Sequence, residues 1–178
     1  MRICIIGPGL MPIPPTGWGA VESLIWDLHN TLIELGHVVK IVNTTNPIEI
    51  VTEVNKFVPD FVHIHYDDWV GICPYIQYPC AATTHFAYIE RPELMGGYKQ
   101  RVFDQFAKIK PNVFGLSDGI NDIYHKLAEI PRDKLFLNPN GVDLNKFRST
   151  TQPEFPNRSI YLAKVDSRKR QHLFQSID

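Results

Sequence analysis

The order of elements in the first 42 residues constrains this chain more than any other feature. Arg2-Ile3-Cys4-Ile5-Ile6 is a short apolar run with β-branched residues, the pattern of a buried strand. A glycine and proline loop follows, from Gly7-Pro8-Gly9 to Gly17-Trp18-Gly19. From Ala20, the residues Val21, Leu24, Ile25, Leu28, Leu32 and Leu35 fall at helical spacing, and Gly36 is placed to cap that helix. Val38-Val39-Lys40-Ile41-Val42 is the next strand. Strand, loop, helix, strand is a βαβ unit, whose crossover makes the two strands parallel. It aims a loop and a helix N-terminus at the C-terminal edge of a sheet, where backbone N–H groups can hold an anion.

The rest of the chain continues the alternation. Ile48 to Phe57 reads as a short helix with Ile50, Val51, Val54 and Phe57 on one side. Phe61 to Tyr66 reads as a third strand, Cys80 to Thr84 as a fourth, Asn112 to Leu116 as a fifth and Lys134 to Leu137 as a sixth. Helices are expected from about Gly97 to Ile109 and from Asp118 to Ile130, the second with Ser117 as its N-cap and Ile120, Ile123, Tyr124 and Leu127 inward. This is the pattern of an α/β protein with a doubly wound, mostly parallel sheet in three layers.

Residues 1–148 are expected to form one domain, residues 149–158 a polar, proline-containing linker, and residues 159–178 the opening of a second domain. With 44% hydrophobic and 21% charged residues, the composition is that of a globular protein. A net charge of -1 and a pI near 6.6 argue against nucleic acid as a partner. Three cysteines, Cys4, Cys73 and Cys80, without a C-x-x-C pair, give neither a disulfide framework nor a zinc signature. The N-terminus does not read as a signal peptide and no stretch is long enough to span a bilayer, so a cytoplasmic protein is expected. The helix carrying Lys99, Arg101 and Lys108, with Lys110 just beyond, is basic; a solvated face explains it, and contact with an anionic membrane surface is the second reading.

Several side chains are candidates for chemistry. His63 and His65 are two apart on a strand, so both face one side. They suit a packed or cleft-lining pair better than a metal site, because no further Cys or His lies close in sequence. His85 stands at the end of the fourth strand, where an imidazole faces the crevice and can donate a hydrogen bond or move a proton; a histidine tied to backbone groups is the equal alternative. Trp18 either covers the edge of the core or lines the cleft. Asp67-Asp68-Trp69 lies at the C-terminal edge of the third strand. No Asp-x-Asp pair occurs, so the simplest carboxylate clamp for a metal-bound phosphate is missing.

At this point the motifs form a series. Gly17-Trp18-Gly19-Ala20-Val21-Glu22, Leu35-Gly36-His37-Val38-Val39, Asp60-Phe61-Val62-His63-Ile64-His65, Thr84-His85, Asn140-Gly141-Val142-Asp143-Leu144-Asn145-Lys146-Phe147 and Ala163-Lys164-Val165-Asp166-Ser167-Arg168-Lys169-Arg170 occur in this order. In order and spacing they resemble the N-terminal half of the retaining GT-B glycosyltransferases usually called family 4. The resemblance implies two Rossmann-like domains with a sugar nucleotide between them, and metal-independent transfer to a glycan, lipid or small-molecule acceptor. It implies that His85 contacts the transferred sugar, that Gly17, Trp18 and Gly19 with Asp67 and Asp68 line the substrate site, and that Lys164 and Lys169 hold the donor diphosphate. No cofactor and no metal are implied. Lys164 stands where Arg is usual, and Ala20 and Arg170 replace glycines. The family's later acidic motif does not occur in this sequence, so turnover by this chain alone is expected to be slow or absent, with the donor-side domain as the missing partner.

Two other readings compete. A nucleotide-dependent oxidoreductase would begin with Gly7-Pro8-Gly9, but Pro12 stands where its third glycine belongs, and the second strand ends at Asn43 rather than at an acid. A non-catalytic carbohydrate- or partner-binding module is the third.

Overall fold

The structure, a computed structural model, describes residues 1–85 and 96–144, with the side chains of residues 96–99 left aside. Met1–Asp143 forms one compact unit. The expected linker, the second-domain opening, Lys164 and Lys169 all lie outside the described residues.

Six parallel strands form the sheet: β1 (Arg2–Ile6), β2 (Val38–Val42), β3 (Phe61–Ile64), β4 (Cys80–Ala82), β5 (Asn112–Gly115) and β6 (Leu135–Leu137). Their order is β2-β1-β3-β4-β5-β6. Among the described residues four α-helices join them: α1 (Ala20–Glu34), α2 (Pro47–Phe57), α3 (Gly96–Ile109) and α4 (Asp118–Ala128). A 3-10 segment, Asp67–Tyr75, links β3 to β4 where the third strand had been expected to run two residues further. This is a doubly wound α/β sheet of Rossmann-like type.

Strand alternation divides the core. Ile3 and Ile5 of β1 pack with Val21 and Ile25 of α1 on one face. Cys4 and Ile6 point to the other face and join Ile50, Val54, Val62, Ile64, Phe106 and Tyr124. Cys4 is fully buried, and burial pushes its thiol up to about 12. The chain leaves β1 toward β2 and returns across it to β3, so the loops after β1 and β3 diverge. That reversal opens a crevice at the C-terminal edge of these two strands.

Helix ends follow local chemistry. The α1 helix closes in a Schellman motif: Gly36 has φ +82°, His37 N–H donates to Leu32 C=O at 3.0 Å and Gly36 N–H to Ile33 C=O at 2.9 Å. Leu35 therefore falls past the helix and is exposed, unlike its expected inward place. Asn46 caps α2, accepting from Ile48 N–H at 3.0 Å, and Ser117 caps α4 as expected, accepting from Ile120 N–H at 3.3 Å. On α4 the buried stripe is Asn121, Tyr124 and Ala128, so Leu127 is exposed rather than inward. No helix among the described residues is long and apolar enough to cross a membrane.

Candidate functional site

The glycine loop after β1 is fastened to the exit of β2. Gly7 N–H donates to Val42 C=O at 2.9 Å, and Gly9 N–H donates to Asn43 Oδ1 at 2.8 Å. The other end of that amide, Asn43 Nδ2, donates to Met11 C=O at 2.8 Å. A Cβ on Gly7 would lie 2.6 Å from Asn43 Oδ1, and one on Gly9, at φ +78°, would strike the Thr44 backbone. The first glycines thus serve a close approach between two loops, and their amides are already engaged. Asn43 occupies the place where a dinucleotide site carries its acid, which removes the structural basis for the oxidoreductase reading.

Further along, the loop reaches α1. Its N-cap, Gly19, supplies no side-chain cap, so the first amides of this 15-residue helix are left without one. Glu22 in the first turn is buried at 5% exposure. A Cβ on Gly19 would meet Met11 Cε at 2.8 Å and Glu22 Oε2 at 3.1 Å, whereas Gly17 has nothing within 4 Å. Trp18 is 80% exposed and so does not cover the core edge.

The histidines form a continuous chain. In β3, the odd-numbered residues share α1's face of the sheet, and the register Ile5↔His63 and His63↔Ala81 carries that parity into β4. His63, His65, Thr83 and His85 therefore converge there. His63 Nε2 lies 2.8 Å from Thr83 Oγ1, His63 Nδ1 lies 3.0 Å from His65 Nε2, and His65 Nδ1 lies 3.0 Å from His85 Nε2. The His63 and His65 rings sit 3.8 Å apart between centroids, and the edge of Phe114 closes on His63 at 5.0 Å. Thr83, His65 and His63 are buried, and His85 is half-buried at the crevice end.

Burial keeps all three rings neutral at neutral pH. Desolvation lowers His63 to about 3, with a smaller contribution from His85, and lowers His85 to about 4. His65 is held well below its ordinary value, first by burial and then by its two neighbours. At the other end of the chain of rings, His85 Nδ1 is buried and has no hydrogen-bond partner among the described residues. His85 is tied to the His65 imidazole, and its outer nitrogen is left over among the described residues. The rings' other nitrogens are spent on one another and on Thr83 Oγ1, and among the described residues no group of His, Cys, Asp or Glu is placed to hold a metal ion.

The two aspartates at the end of β3 separate. Asp67 is buried at 2% exposure, while Asp68 pairs with Arg101 of α3. Asp68 also lines a cavity of about 540 Å³ between the start of α2 and the 3-10 segment, walled by Ile48, Val51, Trp69 and Tyr75. Trp69 ties this wall to the glycine loop, its indole N–H donating to Gly7 C=O at 3.1 Å. Of the residues singled out from sequence, Gly19 and Glu22 stand at the start of α1, His85 just past the end of β4, Gly17 and Trp18 in the loop before α1, and Asp68 at the cavity. Thr83 and Asn43 were not anticipated. A Thr-x-His at the end of one parallel strand beside a His-x-His in its neighbour is the signal that would have found the histidine chain.

The fold and this edge define the class: a Rossmann-like α/β unit whose winding reverses between β1 and β3. Comparison with protein-family models and with curated proteins gives no match. Among solved structures, the chain is similar to that of AviGT4, a glycosyltransferase involved in Avilamycin A biosynthesis. The two share 21% identity over 48% of this chain and 32% of that one, with a TM-score of 0.43. This chain thus spans about a third of the length of that structure, and the fold assignment rests on the sheet topology above.

Proposed function

We propose that this chain is the acceptor-side part of a retaining, metal-independent glycosyltransferase of the GT-B type, using a nucleotide-sugar donor. The observation that carries the reading is His85: a neutral imidazole at the C-terminal end of a central parallel strand, with a buried outer nitrogen that no group among the described residues satisfies. An unpaired nitrogen of this kind is satisfied by a ligand hydroxyl. The motif series running from Gly17 to Arg170 supports the same reading.

In this reading a sugar sits in the crevice, with a hydroxyl on His85 Nδ1. The uncapped start of α1 offers backbone amides and a positive dipole end to the negative charge of the departing nucleoside diphosphate. Lys164 and Lys169, which lie outside the described residues, are the cations the motif series proposes for the diphosphate, so no metal is called on. Trp18 and Asp68 are placed toward the acceptor. The three free thiols suit a reducing, cytoplasmic setting.

The test is release of nucleoside diphosphate from a panel of sugar nucleotides, followed over hours. A chelator is expected to leave the rate unchanged. His85→Ala is expected to lower it by roughly a hundredfold, the scale for loss of one polar contact made to the reacting sugar. Equal rates for His85→Ala and the parent, or a rate abolished by the chelator, contradict the reading.

A further inference from the structure

The hydrogen bonds among His63, His65 and His85 impose a rule that the individual rings do not. A neutral imidazole carries one N–H and one lone pair. Between His85 Nε2 and His65 Nδ1, at 3.0 Å, one nitrogen must donate and the other accept. The same holds between His65 Nε2 and His63 Nδ1, at 3.0 Å. If His85 carries its proton on Nε2, so must His65, and so must His63, which then donates to Thr83 Oγ1. If Thr83 O–H donates to His63 instead, all three protons move to Nδ1. The chain has two polarities and no mixed state without a broken hydrogen bond.

We propose that His85, His65, His63 and Thr83 act as one polarised unit, in which the buried Thr83 hydroxyl sets whether His85 Nδ1 offers a ligand hydroxyl an acceptor or a donor. His63, His65 and Thr83 are positioning residues; none of them reaches the crevice. In the free protein the polarity runs toward Thr83. Four donors serve three hydrogen bonds, so one is always left over: the Thr83 O–H when the polarity runs toward Thr83, the His85 Nδ1–H when it runs away. The hydroxyl can turn about its C–O bond while the ring N–H is fixed, which favours leaving the hydroxyl. His85 then presents an acceptor, suited to a donating hydroxyl. A ligand that accepts reverses the chain, Thr83 turning its O–H onto His63 Nε2. This deepens the reading of the crevice as a sugar site, since a sugar hydroxyl can meet either polarity, but the rule itself belongs to the ligand-free protein.

The test is a proton–nitrogen correlation spectrum of the histidine-labelled full chain near neutral pH, which distinguishes Nδ1–H from Nε2–H rings. The His63, His65 and His85 signals are assigned by single substitutions. The expected result is one shared tautomer, Nε2–H, in all three. Rings of differing tautomer in the parent protein overturn the proposal, whatever the protein's activity. Thr83→Val removes the terminal acceptor at nearly constant volume. His63 Nε2–H would then be orphaned in the most buried part of the chain, so all three rings are expected to switch to Nδ1–H. Thr83→Ser, which keeps the hydroxyl, is expected to show the parent pattern. A change confined to His63 in Thr83→Val, with His85 unmoved, overturns it. Should Thr83→Val fail to fold, the shared-tautomer rule in the parent decides alone. Loss of glycosyl transfer would leave this spectrum unchanged, so the two readings fail separately.

Discussion

At the scale of single residues, the informative side chains are those that satisfy two neighbours at once. Asn43 fastens the glycine loop through Gly9 N–H and Met11 C=O, both at 2.8 Å. From sequence it read as a missing acid; in the fold it is the clasp of the crevice. Asn43→Ala is expected to cost about 2 kcal/mol, because it strands a donor and an acceptor together. Urea denaturation measures it, and an unchanged midpoint contradicts the assignment. Thr83 was hidden for a different reason. Small residues in a strand carry no periodic signal, and its partner His63 lies 20 positions away. Only the parallel register of β3 and β4 brings them together. His85 was legible by its place at a strand end, but not by what holds it.

At the scale of elements, pattern reading succeeded where burial and period coincide. Val21 and Ile25 of α1, and Ile50 and Val54 of α2, face the core because helical spacing put them there. It failed where the helix ended or the stripe turned. Leu35 lies beyond α1's last turn, and the small Ala128 takes the inward place that Leu127 was expected to fill. Of the 3-10 segment Asp67–Tyr75, the sequence shows only a short connection from Val70 to Tyr78 that could be helical, because a 3-10 run leaves little periodic trace. Caps were better marked. Gly36→Ala tests one in isolation: no atom lies within 4 Å of the added Cβ, so the cost is that of φ +82° alone. It is expected to be about 1 kcal/mol, read by thermal or urea unfolding. A neutral substitution would mean that the Schellman geometry does not persist in solution.

At the scale of the whole molecule, the buried histidines couple fold stability to acid. His63 and His85 are lowered in the folded state, to about 3 and about 4, from 6.5 in the open chain. Below pH 6.5 the unfolded chain takes up protons that the folded one refuses, so this stability is present above 6.5 and is lost as pH falls toward about 4 and then about 3. The slope approaches about 1.4 kcal/mol per pH unit for each such histidine. Urea midpoints at stepped pH measure it, and His63→Gln is expected to flatten the curve. An acid profile identical in parent and variant contradicts the buried, neutral state of the chain.

In the proposed function a sugar enters beside β1, β3 and β4 and meets His85. Titration of the isotope-labelled protein with a panel of sugar nucleotides, followed by its backbone and histidine-ring spectra, tests that most directly. One member of the panel is expected to move the His85 ring together with the amides of Gly19 and Ala20 at the start of α1, even where binding is weak. A sugar nucleotide that binds while leaving these signals in place, or a full panel that never moves them, contradicts the account.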